Sequence, residues 1–181
     1  MRAGGGAQAG ALVSKGISAL GTTFRIGSYT NENPQSNYLN FVTVMATEDN
    51  TTVDFLFTRR MKGIQSPHSI LLNKGQTYII TDDDYNVSVT GVKIKSDKDI
   101  VVVSGSQHTN IYNAMDDDGG VDMLVPVKNL GNQFVLVRGG VIAGHDYGIV
   151  VAAENNTHVY VNGDSESLCT LNSGEFVTIP L

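Results

Sequence analysis

The densest group of side chains able to do chemistry is Asp116-Asp117-Asp118-Gly119-Gly120-Val121-Asp122. Carboxylates are hard oxygen donors, and a glycine-containing acidic loop offers the ligands calcium prefers. Asp116, Asp117, Asp118 and Asp122 are therefore candidate calcium ligands. Their spacing departs from the regular Asp-x-Asp-x-Asp-Gly order of known calcium loops, and a hydrated acidic loop accounts for the same residues. Asp82-Asp83-Asp84 reads in the same way at a strand end. Calcium aside, no cofactor is expected.

Ser104 or Ser106 with His108 and an aspartate could form a nucleophilic set. A catalytic serine of that kind sits on a strained Gly-x-Ser-x-Gly elbow, and Ser104-Gly105-Ser106-Gln107 lacks the second glycine. His68, His108, His145 and His158 show no metal-ligand spacing such as His-x3-His. Each reads as a loop or surface residue, and His158 as an ordinary strand position. A carbohydrate hydrolase would need two facing carboxylates, and no motif frames such a pair. The expectation is that the chain is not an enzyme. The sequons at Asn50, Asn86 and Asn155 would accept glycans in a secreted eukaryotic protein. Those at Asn50 and Asn155 fall in turns, where asparagine already has a backbone role.

The elements that position these residues read as strands. Gly 20 in 181 residues, with only 17% charged residues, fits a turn-rich all-β protein. The segment Ala46-Thr47-Glu48-Asp49-Asn50-Thr51-Thr52-Val53 returns as Ala152-Ala153-Glu154-Asn155-Asn156-Thr157-His158-Val159, at an offset of 106. Each copy reads as strand, polar turn, strand. A second landmark, Asn73-Lys74-Gly75, returns as Asn172-Ser173-Gly174 at an offset of 99. The seven-residue difference falls in the loop at 59–67. Val53, Phe55 and Phe57 alternate with polar positions, the period-two pattern of a half-buried strand. Short strands are expected at 91–95 and 100–103, parted by a turn at Asp97-Lys98-Asp99. The apolar run at 100–103 reads as a central strand covered on both faces. Residues 105–120 read as a long irregular stretch, and a turn at Asn129-Leu130-Gly131 leads into residues 134–137. Asn162-Gly163 is a strong hairpin signal.

The expected fold is all-β, an antiparallel β-sandwich-like architecture with an internal duplicated strand-turn-strand unit. Its organisation is a flexible Gly/Ala-rich leader at 1–20, a first β unit at 21–138, and a second unit at 139–181 packed against it. Copy two stops where copy one continues into 91–103, so it reads as truncated, a fragment of a longer chain. The single cysteine, Cys169, excludes an internal disulfide and reads as a buried inert thiol. A net charge of -6 argues against a nucleic-acid partner, which needs clustered Lys and Arg. No apolar run approaches the roughly 18 residues needed to cross a bilayer, so no membrane insertion is expected.

In order, the chain carries Gly21-Thr22-x-Phe24, the Ala46–Val53 segment, Leu72-x-x-Gly75-x-x-Tyr78 and Gly91-Val92-x-Ile94-x-Ser96. Asp122-Met123-Leu124-Val125-Pro126-Val127-x-x-Leu130-Gly131 and the second Ala-x-Glu-Asn-Asn-Thr follow. This order resembles the N-terminal domain of IgGFc-binding proteins, found in mucus-associated animal proteins and in large surface or secreted bacterial proteins. The chain departs from it at Arg25, where the family is often aromatic, and in having no Trp. The resemblance implies an extracellular or cell-surface binding or adhesion module without catalytic activity. Its partner would be a glycoprotein, a glycan or another protein, recognised through exposed loops at 31–37, 59–67 and 105–120. The alternative is a structural spacer or filament-assembly subunit, a homo-oligomer joined through an open strand edge.

Overall fold

The computed structural model of the chain describes residues 2–5, 8–11, 13–28, 40–61, 64–81, 89–109, 118–137 and 147–181. In chain order the strands are β1 (Arg2–Gly5), β2 (Gln8–Ala11), β3 (Gly21–Arg25), β4 (Asn40–Ala46), β5 (Thr51–Leu56), β6 (His68–Leu72) and β7 (Thr77–Thr81). They continue as β8 (Lys93–Thr109), β9 (Asp118–Met123), β10 (Tyr147–Val151), β11 (Thr157–Val159), β12 (Cys169–Leu171) and β13 (Phe176–Pro180). Helical structure among the described residues is limited to two 3-10 turns, Gly16–Ala19 and Val127–Asn129. No helix among them is long and apolar enough to cross a membrane. Within the segment read as a leader, β1 and β2 pair antiparallel.

The fold is all-β and antiparallel, with a curled, sandwich-like main sheet. Its strand order is β6-β5-β8-β4-β7, and β3 and β9 also pair with β8. The period-two patterning explains which faces turn inward. Val42, Val44 and Ala46 of β4 and Val53 and Phe55 of β5 are fully buried, while the residues between them are at least partly open. They meet Phe24, Ile26, Ile80, Ile94, Ile100 and Val102 in one core. Each buried valine, isoleucine or phenylalanine among them contributes about 1.5–3 kcal/mol by leaving water. The curl is closed by a polar seam. Ser104 Oγ donates to the Gly27 carbonyl at 2.7 Å, and the Thr90 hydroxyl donates to the Ser28 carbonyl at 2.7 Å.

β8 corrects the reading of 91–103 as two strands. Asp97-Lys98-Asp99 is no turn; the strand runs on and changes neighbours there. Lys93–Ser96 pair with β5, whereas Ile100–Ser106 pair with β4. The polar residues at the change-over grip the Glu48–Thr51 turn, which lies between those two neighbours. Asp97 Oδ1 accepts from the Thr52 amide at 2.8 Å, Lys98 Nζ donates to the Asp49 carbonyl, and Thr47 Oγ1 donates to the Asp99 carbonyl. β8 is central, as expected, but unequally covered: Ile100 and Val102 are buried, Val101 and Val103 only partly. The stretch at 105–120 is also more regular than expected, because β8 extends to Thr109 and β9 begins at Asp118.

The second set of strands forms two separate pairs, β10 with β13 and β11 with β12. Ala152, Val159 and Leu171 make a small core of their own, with Val150, Cys169, Val177 and Ile179 half-covering it. Cys169 is a free thiol and only partly buried. Asn162 and Gly163 both adopt positive φ, 56° and 82°, as the Asn-Gly signal requires.

Candidate functional site

In copy one, Asn50 sits at φ 53° and Gly75 at φ 78°; in copy two, Asn156 sits at 56° and Gly174 at 90°. Asparagine and glycine tolerate this left-handed region best. Thr51 Oγ1 donates to the Glu48 carbonyl at 2.8 Å, and Thr157 Oγ1 donates to the Glu154 carbonyl at 2.8 Å. The Lys74 amide donates to Asp49 Oδ1 at 3.0 Å, and the Ser173 amide donates to Asn155 Oδ1 at the same distance. Gly75 and Gly174 each donate an amide to the first alanine of the motif, Ala46 and Ala152, at 2.9 and 2.8 Å. Strand registers agree as well. Val44 stands opposite Tyr78 and Val150 opposite Val177; Val53 stands opposite Ile70 and Val159 opposite Cys169. The polar atoms of this motif are committed to holding two hairpins together.

Arg25 joins the two copies. Its guanidinium donates to the Gly91 carbonyl at 2.7 Å and to the Ser173 hydroxyl, and that hydroxyl donates to the Ala153 carbonyl at 2.8 Å. Burial holds the Arg25 pKa below its ordinary value, and the nearby Glu154 carboxylate opposes that shift. The only advance signal of this role was the departure at Arg25 from the aromatic residue usual in the family.

Of the candidate calcium ligands, Asp116 and Asp117 lie outside the described residues, and Asp118 opens β9. Asp122 lies further along β9, and Lys15 Nζ reaches both of its carboxylate oxygens, at 2.9 and 2.8 Å. A cation bound there would have to displace the ammonium. Among the described residues no three metal-ligating side chains converge. Asp82, Asp83, Asp84, Asn86 and His145 lie outside the described residues. Ser104 and Ser106 are buried in β8, and His108 belongs to the same strand. His158 is in β11, with Nδ1 2.9 Å from the Thr170 hydroxyl. His68 is not a loop residue. It opens β6, with Nε2 3.0 Å from the Tyr78 hydroxyl and its ring 6.1 Å from that of Phe55. β6 and β7 stand at the two ends of the main sheet's strand order, so the curl of the sheet brings His68 to Tyr78, and local sequence gave no sign of it.

A family model described as IgGFc binding protein matches residues 10–181. The chain belongs to the IgGFc-binding protein family. No curated protein and no solved structure matches it.

In this member of the IgGFc-binding protein family the strand ends sort into two groups. Phe41, next to the start of β4, stands opposite both Thr81 at the end of β7 and Gly105 in β8, and Thr109 stands opposite Asp118. Asn40, Thr81, Thr109 and Asp118 therefore lie at one end of the sheet; the segments 29–39, 82–88 and 110–117 lie outside the described residues. The loop at 59–67 joins the opposite end, where Leu56 stands opposite Lys93 and Phe55 opposite His68. The described residues beside the expected recognition loops at 31–37 and 105–120 share an end, and those beside 59–67 do not.

Proposed function

We propose that the chain is an extracellular binding module that recognises a glycoprotein, and that its recognition surface is the sheet end where Asn40, Thr81, Thr109 and Asp118 lie together. That convergence is the observation that carries the reading. A rigid sheet holding several connections at one end is the usual way for variable loops to present side chains to a partner. The family name points to the Fc part of an immunoglobulin as the first glycoprotein to test, with mucins and isolated glycans beside it. The module acts by binding, without catalysis, outside the cell or on its surface.

The test is surface plasmon resonance against Fc, mucin and a glycan panel. Replacing residues 31–37 or 110–117 with a Gly-Ser linker of equal length is expected to weaken binding at least about tenfold at unchanged Tm. Replacing 59–67 is expected to leave it intact. Undiminished binding in the first two variants would remove the assignment.

A further inference from the structure

The outward face of the main sheet carries a group of cations at the end away from Asn40 and Thr81. Phe24, Phe55 and Ile94 face the core, so the residues that alternate with them on β3, β5 and β8 face the other way. Lys93 and Lys95 are two of these. Lys93 stands opposite Leu56 of β5 and opposite Arg25 of β3, and Lys95 stands opposite Asp54 and Thr23. Arg59 and Arg60 reach the same corner. A Cβ on Gly91 would stand 3.3 Å from the hydroxyl of Thr58, the residue before them, and the Gly91 carbonyl accepts from Arg25. Arg59, Arg60 and Lys95 are exposed and Lys93 is half-buried.

These four charges are not neutralised. Among the described residues the one salt bridge is Lys15 to Asp122, and Arg59, Arg60, Lys93 and Lys95 make no hydrogen bond or ion pair through their side chains. The chain has 18 acidic side chains against 12 basic ones, so carboxylates to pair them were in supply. Those around the corner are engaged elsewhere. Asp97 Oδ1 accepts from the Thr52 amide, Glu175 Oε2 accepts from the Asn172 amide, and Glu154 acts on Arg25. Asp54 stands in the row itself, opposite Lys95 but not bridged to it. Lys93 across from Arg25 sets like charges directly opposite on paired strands, an arrangement that costs stability. Sequences break such local rules at functional sites.

We propose that Arg59, Arg60, Lys93 and Lys95 form a binding surface for an anionic glycan, a sugar chain bearing sulfate or carboxylate groups. Arg25, held at Gly91 and Ser173, adds to its field. Lys93 and Lys95 are spaced about 7 Å along one strand face, so successive anionic groups of a single chain can meet them. The two arginines offer forked donors that match oxyanions. The setting favours a glycan over other polyanions. Besides the cations this outward face presents Thr23, Asp54 and Leu56, with no aromatic ring on which the bases of a single-stranded nucleic acid could stack. A protein partner would need an apolar centre of contact, and Leu56 is the one apolar side chain in that set. A hydrated, repeatedly charged sugar chain needs neither. The surface lies at the opposite end of the sheet from the proposed recognition end and does not rest on it.

The probe is a fluorescein-labelled heparin hexasaccharide, titrated into the full chain by anisotropy at about 20 mM salt, where exposed charges act over about 20 Å. Saturable binding is expected. It should weaken at least about tenfold in K93Q/K95Q and in R59Q/R60Q, each at unchanged Tm. K74Q/K128Q, which removes two exposed lysines elsewhere, should bind as the unaltered chain does. Binding should vanish at about 300 mM salt, because these charges are open to screening. A hyaluronan hexasaccharide, which carries carboxylates alone, names the anion: equal binding assigns the surface to carboxylate, weaker binding to sulfate. Absence of saturable binding overturns the proposal, as does an equal loss in K74Q/K128Q. So does oligothymidylate or poly-glutamate of the same charge binding as tightly as heparin. Replacing residues 31–37 should leave heparin binding intact, which keeps a failure here distinct from a failure at the recognition end.

Discussion

Gly91 and Gly174 meet backbone to backbone. A Cβ on Gly174 would stand 3.0 Å from the Gly91 carbonyl oxygen and 2.7 Å from Thr58 Cγ2, and a Cβ on Gly91 would overlap the Gly174 carbonyl. Both residues also hold positive φ, 89° and 90°. This contact sets how closely the second copy approaches the first.

Gly174→Ala is therefore expected to lose stability twice over. Positive φ alone costs an alanine about 1 kcal/mol, and forced overlap adds about 1–3 kcal/mol. Gly75→Ala is the control, because Gly75 has φ 78° and nothing within 4 Å of its missing Cβ. Thermal melts should place G174A several degrees below G75A. Equal melting temperatures would mean that the contact between the copies is not tight.

Arg25→Ala should destabilise by about 1–3 kcal/mol, because the Gly91 carbonyl and the Ser173 hydroxyl lose a charged donor. Arg25→Lys should recover little, since one ammonium cannot reproduce two directed guanidinium bonds. The pH dependence has a definite sign. A base whose pKa is lowered in the fold costs stability while charged, and that cost is relieved only as pH rises through the folded pKa. Arginine stays charged far above neutrality. The difference between R25A and the unaltered chain should therefore be flat from about pH 6 to 9 in denaturant titrations.

Asp49→Asn should be tolerated within about 0.5 kcal/mol, because Asn155 fills the same place in copy two and accepts from the matching amide. Asp49→Ala should cost about 1 kcal/mol through the orphaned Lys74 amide. Urea unfolding of the two variants separates these outcomes; an equal loss in both would assign the role to the charge instead.

Asp97→Ala should cost about 1 kcal/mol, since the Thr52 amide loses its acceptor where β8 changes neighbours. Asp99→Ala should be nearly neutral, because Asp99 contributes its main-chain carbonyl, which the variant keeps. Melting the pair side by side checks the assignment.

Much of this was legible in the sequence because it is local. The offsets of 106 and 99 located both turns, and the hydrogen bonds around Asp49 and Asn155 repeat accordingly. What stayed hidden depends on distant partners. Ser96-Asp97-Lys98-Asp99 has the composition of a turn, and only the Glu48–Thr51 turn beside it makes it a strand. Residues 134–137 have the composition of a strand but lack pairing, because no described strand stands where β8 stands in copy one. The candidate site was less legible. Asp122 reads as a ligand until Lys15, more than a hundred positions away, is seen to hold it.

The central place of β8 also divides the molecule into two cooperative tiers. Strands that share β8 must open together, because none of them can leave without exposing Ile94, Ile100 or Val102. β10 to β13 pair only among themselves, share a small core of their own and should open as a unit, at a free energy well below that of global unfolding. Native-state exchange would then show two foldons within this one chain, with Arg25 and the Gly91–Gly174 contact marking the boundary between them.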